Sequence, residues 1–118
     1  MGVQSREPAR EPQDLERLLI ARQHAGDVEG MVALFEPAAV VDTADGKFLR
    51  GHAEIRAFFT AYAASGRKFQ LGTQQPAVIN GDLALTSTRL PDGTVTAETA
   101  RRQTDGTWLW AIDKYSNG

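Results

Sequence analysis

Glu98 and Asp113 are the two residues whose types and spacing most directly indicate chemistry. Asp-Gly is a strong hairpin signal, because both residues of a tight turn must reach positive φ. If Asp105-Gly106 is a two-residue turn, counting outward from it places Glu98 directly opposite Asp113. Like charges in that position destabilise a sheet. In an apolar pocket one of the two carboxyls would hold a proton, so the pair predicts an acid beside a base for proton transfer.

Two further turns extend this pair into a predicted polar row. Counting from Asp92-Gly93 places Ser87 opposite Glu98, and counting from Asn80-Gly81 places Gln74 opposite Ser87, all on the same sheet face. Arg89 falls on that face, from which it could reach Glu98 diagonally, and Tyr115 falls there too. Phe59 and Tyr62 follow helical spacing and are predicted to lie in the core or the pocket wall. The ligand contacts predicted from these patterns are Gln74, Ser87, Arg89, Phe59, Tyr62 and Tyr115.

A second interpretation gives the same two acids a structural role and no catalytic one. Arg89 and Arg102 could neutralise Glu98 and Asp113 in a structural ion-pair network, because such networks also perturb carboxyl groups. A β-bulge in any of these strands would also change the pairing obtained by counting. The sequence leaves both interpretations open.

The composition excludes several kinds of site. The 118 residues include no cysteine, and the two histidines, His24 and His52, are far apart, so no metal site is expected. A formal net charge of −2 with interspersed signs gives no footprint for nucleic acid. No apolar run is long enough to span a membrane, and no Gly-rich phosphate loop follows a strand. We therefore predict a cytoplasmic protein that uses no cofactor.

The spacing of apolar residues predicts the elements that must position these side chains. Three helices are expected from Pro12 to Gly26, from Asp27 to Pro37 and from Gly51 to Gly66. Strand-like runs are expected at 39–43, 47–49, 68–79, 82–90, 94–104 and 107–115. The order ααββαββββ predicts an α+β fold, with the helices on one face of an antiparallel sheet. Residues 1–11 are predicted to be a flexible N-terminal leader, and residues 12–118 a single domain.

The last predicted strand also indicates a partner. Trp108, Trp110 and Ile112 alternate along it, on the face turned away from the polar row. Exposed tryptophans on an open sheet favour a homodimer interface. The alternative is that the chain's own termini cover them, with Arg101 lying over Trp110 in a cation–π contact.

Three stretches of the chain resemble a known family. Residues 25–35 (AGDVEGMVALF), followed by Ala39-Val40-Val41, resemble ketosteroid isomerase and SnoaL-type polyketide cyclases. Residues 50–59 (RGHAEIRAFF) and 101–108 (RRQTDGTW) extend the resemblance to the nuclear-transport-factor-2-like superfamily. The resemblance implies a cone-shaped fold in which a curved antiparallel sheet and three helices enclose an apolar pocket. It also implies a homodimer formed through the outer face of the sheet.

The chain departs from the isomerase at two of the three functional positions of that family. The resemblance puts Thr43 where the isomerase has its proton-shuttling aspartate, and threonine cannot take a proton from carbon near neutral pH. It puts Leu19 at the oxyanion-binding tyrosine, whereas Glu98 retains the second acid. These differences argue against the steroid isomerase mechanism. The limonene-epoxide-hydrolase branch, which uses two acids and an arginine, offers an analogy for Glu98, Asp113 and Arg89.

The function predicted from sequence is the binding of a small apolar molecule with a polar handle. Glu98 and Asp113 would then serve a cofactor-free isomerase, cyclase or hydrolase, with Thr43 among the pocket residues. The alternative is a non-catalytic dimeric module, in which the same pocket binds a ligand or is simply filled. The volume of the pocket separates the two, because helices packed down on the acids would leave no room for substrate.

Overall fold

A computed structural model describes residues 6–43, 45–70 and 72–114 of the chain. The helices are α1 (Asp14–His24), α2 (Val28–Val32) and α3 (Gly51–Ala64). The strands are β1 (Phe35–Asp42), β2 (Phe48–Arg50), β3 (Thr73–Gln74), β4 (Val78–Asn80), β5 (Leu83–Thr86), β6 (Thr88–Arg89), β7 (Ala97–Arg102) and β8 (Trp108–Lys114). The predicted α+β fold, a curved, mainly antiparallel sheet with three helices, is correct.

The three helices form where apolar spacing and capping residues agree. Leu15, Leu18 and Leu19 of α1 are buried, and Gly26 follows the helix with a φ of 72°, a value that favours glycine. The side chain of Asp27 caps α2 by accepting a hydrogen bond from the backbone N–H of Gly30. These helices pack on one face of the sheet and close the core over it.

Phe35 belongs to a strand and not, as the spacing predicted, to the second helix. It begins β1 and pairs with Trp110 of β8 in a parallel ladder, and the two rings lie 5.2 Å apart between centroids. The ladder is interrupted between Phe35 and Val40, a stretch that includes Pro37. Proline has no N–H to donate and is tolerated in a strand at such an irregularity. The strand therefore starts four residues earlier than expected.

The main sheet has six strands in the order β2-β1-β8-β7-β5-β4. All neighbouring strands are antiparallel except β1 and β8, which are parallel. The two long strands predicted at 68–79 and 82–90 are each broken in two, and their pieces β3 and β6 form a separate two-stranded sheet. The last four predicted strands thus form a meander with a break, not one continuous surface.

The β7–β8 hairpin contains two irregularities that compensate each other at Glu98 and Asp113. Its loop has three residues, 104–106, because the N–H of Gln103 bonds the carbonyl of Thr107 at 2.7 Å. A bulge at Ala111 then inserts one extra residue into β8, between the pairs Ala100–Trp110 and Thr99–Ile112. Glu98 consequently faces Asp113, the partner expected from a two-residue turn without a bulge.

Trp108 and Trp110 lie between the loop and the bulge, where the pairing of β7 with β8 is still shifted by one residue from the expected register. The prediction that they occupy an exposed sheet face is wrong. Trp108 and Trp110 are 5% and 1% exposed and point into the core on the same side as Asp113. Because side chains alternate along a strand, one misplaced residue reverses the face of both rings. Ile112, beyond the bulge, does lie on the outer face as expected, with 54% of its surface exposed.

Residues 6–11 pack against the domain, in contrast to the loose leader predicted there. Ala9 is buried in the core, and its carbonyl accepts a hydrogen bond of 2.9 Å from the N–H of Trp108. Arg22 donates to the carbonyl of Glu7 from its buried position on α1. Residues 1–5 lie outside the described residues. In the described part of the chain, no helix has the length and hydropathy needed to cross a bilayer.

Candidate functional site

Four strands place Glu98 and Asp113 in one row on the inner face of the sheet. Thr86, Glu98, Asp113 and Val41 lie side by side across β5, β7, β8 and β1. Glu98 is 3% and Asp113 2% exposed, so both carboxyls have left water almost completely. A charge in such a position costs free energy unless it is paired or neutralised by a proton.

Glu98 is the better supported of the two carboxyls. The hydroxyl of Thr86 donates a hydrogen bond of 2.7 Å to its Oε1, and the hydroxyl of Thr96 also bonds the carboxyl. Burial raises the pKa of Glu98 above the usual value, while the two threonine hydroxyls act to lower it. Thr96 in turn accepts a hydrogen bond from the N–H of Thr88, which fixes its hydroxyl on the carboxyl side. Glu98 is thus the carboxyl that can hold a negative charge here.

Asp113 lacks such support at one of its two oxygens. Its Oδ1 is buried without a hydrogen-bond partner among the described residues. Burial first, and then the neighbouring charges of Glu98 and Glu16, raise the pKa of Asp113 well above its usual value. Asp113 is therefore the carboxyl that retains a proton.

Glu16, on α1, is a third acid that sequence reasoning missed. It is partly buried, and burial together with the charge of Glu98 raises its pKa to about 7. The helical period contained a signal for it. Position 16 lies between Leu15 and Leu19 in the stripe of α1 that faces the core, where a carboxylate is unusual.

The three acids line a cavity of about 70 Å³. Apolar side chains complete much of its wall, and no lysine, arginine or histidine of the described residues lines it. One water needs about 10–15 Å³ of such space, so the cavity accommodates several waters or a ligand of a few non-hydrogen atoms. The lining residues are Glu16, Leu19, Phe69, Gln70, Leu90, Thr96, Glu98 and Asp113.

The polar row does not extend to Ser87, Gln74 and Arg89 as predicted. The N–H of Leu90 bonds the carbonyl of Thr94 at 2.7 Å and closes a three-residue loop, which shifts the pairing by one residue. Thr86 therefore takes the place opposite Glu98 that was expected for Ser87, and Gln74 pairs with Thr88 away from the cavity.

The basic residues expected beside the acids lie elsewhere. Arg89 is exposed and bridges to Val95, so it cannot reach Glu98 through the sheet. Arg102 bonds Asp82 at 2.6 Å on the surface. The alternative of an ion-pair network around Glu98 and Asp113 is therefore wrong. No cluster of three or more potential ligands within residues 6–43, 45–70 and 72–114 is arranged to hold a metal ion.

The other predicted contacts that the structure describes do not line the cavity. Thr43 lies in the β1–β2 turn, where its hydroxyl bonds Asp45, and it does not line the cavity. Phe59 is buried in the core against Phe35, not in the cavity wall. Tyr62 stacks on Phe69 at 4.6 Å between centroids and so supports a ring that does line it. Tyr115 lies outside the described residues.

Comparisons with known proteins support the fold seen here. The SnoaL-like domain family matches residues 16–115. A cystatin-like protein of unknown function from Nostoc punctiforme superimposes with a TM-score of 0.72 at 21% identity, over 89% of this chain and 74% of that one. A proposed ketosteroid isomerase from Shewanella frigidimarina gives 0.68 at 17% identity, over 87% and 92%. An NTF2-like protein of unknown function from Pseudomonas putida gives 0.65 at 17% identity, over 88% and 82%.

At these identities the structural matches carry the fold and not the chemistry. A search of curated proteins finds no significant match to this sequence. The family match, in contrast, spans α1 to the end of β8, and it includes each of the three acids that line the cavity. The chain is therefore a member of the SnoaL-like domain family.

Proposed function

We propose that this protein binds a small molecule in the cavity of Glu16, Glu98 and Asp113 and catalyses a cofactor-free proton transfer. The observation that carries the proposal is the pair of buried carboxyls, Glu98 and Asp113, facing each other with no basic side chain of the described residues beside them. Such a pair shares protons, and so provides an acid and a base within one site. Isomerases, cyclases and hydrolases of the type expected for this family all need that combination.

The surroundings of the two carboxyls assign their roles. Glu98 accepts hydrogen bonds from threonine hydroxyls, which favour its ionised form, so Glu98 is the base. The Oδ1 of Asp113 has no donor among the described residues and the carboxyl lies near two other acids, so Asp113 keeps its proton and is the acid. In the proposed reaction Glu98 removes a proton from a carbon or oxygen of the substrate, while Asp113 protonates the atom on which negative charge develops.

The size of the cavity limits the substrate. About 70 Å³ cannot hold a steroid, and binding sites for drug-sized ligands are several times larger, at roughly 300–1,000 Å³. The polar handle, not the whole of a large apolar molecule, is what reaches the acids. Thr43 and Leu19, the counterparts of the isomerase's shuttling and oxyanion residues, add no proton-transfer group to this site.

Deuterium exchange tests the proposal without knowledge of the natural substrate. We expect the protein to speed the exchange of α-hydrogens of butanone in D₂O, followed by proton NMR. Glu98→Gln should lower this rate by about 10²-fold or more, the usual range for a general base. Glu11→Gln, an exposed change just before α1, is the matched control and should leave it unchanged. Equal rates for the Glu98→Gln variant and the unaltered protein would refute the catalytic role.

The small volume of the cavity favours a second candidate, a non-catalytic ligand-binding or interaction module. In that case the acids stabilise a bound molecule and do not turn it over. The exchange experiment separates the candidates, since a binding module would show NMR shift changes at Glu98 and Asp113 with added fragments and no exchange above the buffer rate.

We also propose that the protein is a homodimer through the outer face of the six-stranded sheet. A row of cross-strand neighbours runs over this face through Val78, Leu85, Thr99, Ile112 and Val40. Val78, Leu85 and Ile112 are 66%, 51% and 54% exposed. Such apolar side chains in one line on an open sheet favour a partner surface, and a second copy offers the same row.

A further inference from the structure

The cavity differs from an ordinary apolar pocket in the sign of its charges. Among residues 6–43, 45–70 and 72–114, every charged group that lines it is acidic: Glu16 from α1, Glu98 from β7 and Asp113 from β8. Nearby basic residues in the described ranges are directed elsewhere: Arg17 bonds Glu7, and Lys114 bonds Asp42. The three carboxyl groups therefore have no positively charged partner among the described residues.

The geometry also provides a specific point of attachment. Asp113 is almost fully buried, lines the cavity, and has an Oδ1 without any hydrogen-bond donor in the described structure. A buried acceptor without a donor costs free energy, which a ligand with an N–H group recovers by bonding it. Leu19, Phe69 and Leu90 offer an apolar surface for a short hydrocarbon tail.

We infer that this cavity selects a small organic cation, a protonated primary amine of about three or four non-hydrogen atoms, whose ammonium group lies between Asp113, Glu98 and Glu16. The inference rests on the proposed function in one respect, since it assigns a ligand class to the same binding site. An ammonium group has three N–H donors, and each can meet one carboxyl. The carboxyls are already removed from water by folding, so only the amine must be desolvated on binding.

Protons compete with this ligand for the same oxygens. In the free protein, the raised pKa values of Asp113, Glu98 and Glu16 mean that protons supply the missing positive charge. Binding of an amine must then release protons, and affinity must rise with pH until the amine itself begins to lose its charge near pH 10. A neutral ligand of the same shape would show neither effect.

The test compares three molecules of similar size with the full chain: n-propylamine, 1-propanol and propionate. Carbon-detected NMR follows the three cavity carboxyls during each titration at about pH 5.5 and about pH 8. At the higher pH, we expect n-propylamine to bind about tenfold more tightly than 1-propanol. At the lower pH, the affinity of n-propylamine should be about tenfold below its own value at the higher pH. The chemical shifts of the carboxyl carbons should move toward the values of the ionised groups as the amine is added.

Variants localise the effect. Glu16→Gln, which removes the least buried acid, should weaken amine binding by about threefold to tenfold and weaken 1-propanol binding much less. Glu11→Gln should change neither, because position 11 is exposed and outside the cavity. Asp113→Asn should reduce the number of protons released when the amine binds. If the Asp113→Asn variant does not fold, the Glu16→Gln variant still tests the cation assignment.

The outcomes separate the inference from the proposed function. If 1-propanol or propionate binds as tightly as the amine at about pH 8, or if amine binding strengthens at the lower pH, the cation assignment is overturned and the binding site stands. If none of the three shifts any cavity carboxyl, the cation assignment and the small-molecule site both fail.

Discussion

A carboxyl group buried without a cation holds its proton more tightly than it does in water, and this couples the stability of the fold to pH. Glu16, Glu98 and Asp113 all have pKa values raised above their usual values. The folded protein therefore binds more protons than the unfolded chain above about pH 4.5. The stability that these groups contribute is complete below their unfolded pKa values and is lost as pH rises through the folded ones.

The first prediction concerns the pH range of Glu16, whose pKa moves from 4.5 to about 7. The melting temperature should decrease as the pH is raised from about 5 to about 8. Glu16→Gln should raise stability at the higher pH by about 1–3 kcal/mol and make the pH dependence shallower. Thermal unfolding by circular dichroism at a series of pH values measures this, with Glu11→Gln as control. A melting temperature that stays constant over this range would contradict the raised pKa values.

The second prediction concerns the hydrogen bond from Thr86 to Glu98. Thr86→Val keeps the shape of the side chain and removes the donor, so the pKa of Glu98 should rise further. Stability should fall by about 1–3 kcal/mol, since a buried acceptor loses a donor. Thr99→Val, a neighbour on the outer face of the sheet, is the control and should have little effect. NMR titration of the Glu98 carboxyl is the decisive measurement, and an unchanged pKa would refute the role given to Thr86.

At the scale of elements, the compensation between the β7–β8 loop and the bulge at Ala111 decides which residues enter the core. Turn dipeptides in the sequence predicted the hairpin and its two facing acids, because positive φ leaves a strong signal. They could not give the loop length, which depends on the carbonyl that Gln103 bonds, nor the bulge, which is set by packing across several strands. The tryptophans were misplaced for that reason, and Glu98 and Asp113 were not.

The third prediction tests this compensation by deletion. Removing Ala111 should turn either the tryptophans or Asp113 to the other face, and so destabilise the fold by more than about 3 kcal/mol. Removing Thr104 leaves Asp105-Gly106 as a two-residue turn within an unchanged strand register, and it should be tolerated. Urea unfolding compares the two deletions. Equal stability for both would mean that the bulge does not set the register.

The fourth prediction concerns residues 6–11. Sequence composition indicated a loose leader, because four of these six residues are charged, one is proline, and Ala9 contributes little apolar surface. The structure uses Ala9 as a core residue and its carbonyl as a partner for Trp108. Ala9→Gln should cost about 1–3 kcal/mol by placing a polar group in the core, whereas Arg10→Gln next to it should cost little. Chemical denaturation followed by tryptophan fluorescence measures both, and similar values for the two would show that this segment packs loosely.

At the scale of the whole molecule, the two faces of the sheet have opposite characters. The inner face carries the acids and the core, and the outer face carries exposed apolar side chains along the row from Val78 to Val40. The sequence predicted a homodimer from an apolar outer face and placed Trp108 and Trp110 on it, whereas the exposed apolar side chains of that face are others, such as Val78 and Leu85. Sequence alone cannot identify them, since the face of each residue in β8 depends on one bulge.

The fifth prediction tests the proposed homodimer. Leu85→Lys should convert it to a monomer, because a charge is placed in the middle of the apolar row. Ile79→Lys is a matched control: Ile79 is 55% exposed, like Leu85 at 51%, but it pairs with Ala84 and faces the other side of the sheet. Analytical ultracentrifugation distinguishes the two variants. A monomeric unaltered protein, or a dimer that survives Leu85→Lys, would exclude this interface.

The burial of Trp108 and Trp110 gives the molecule an internal optical probe. They are the two tryptophans of the chain, and both lie on the strand that carries Asp113. Their fluorescence should emit at short wavelength while the strand is in place and shift to the red when water reaches it. Emission therefore reports, without any attached dye, whether water reaches the strand that carries Asp113.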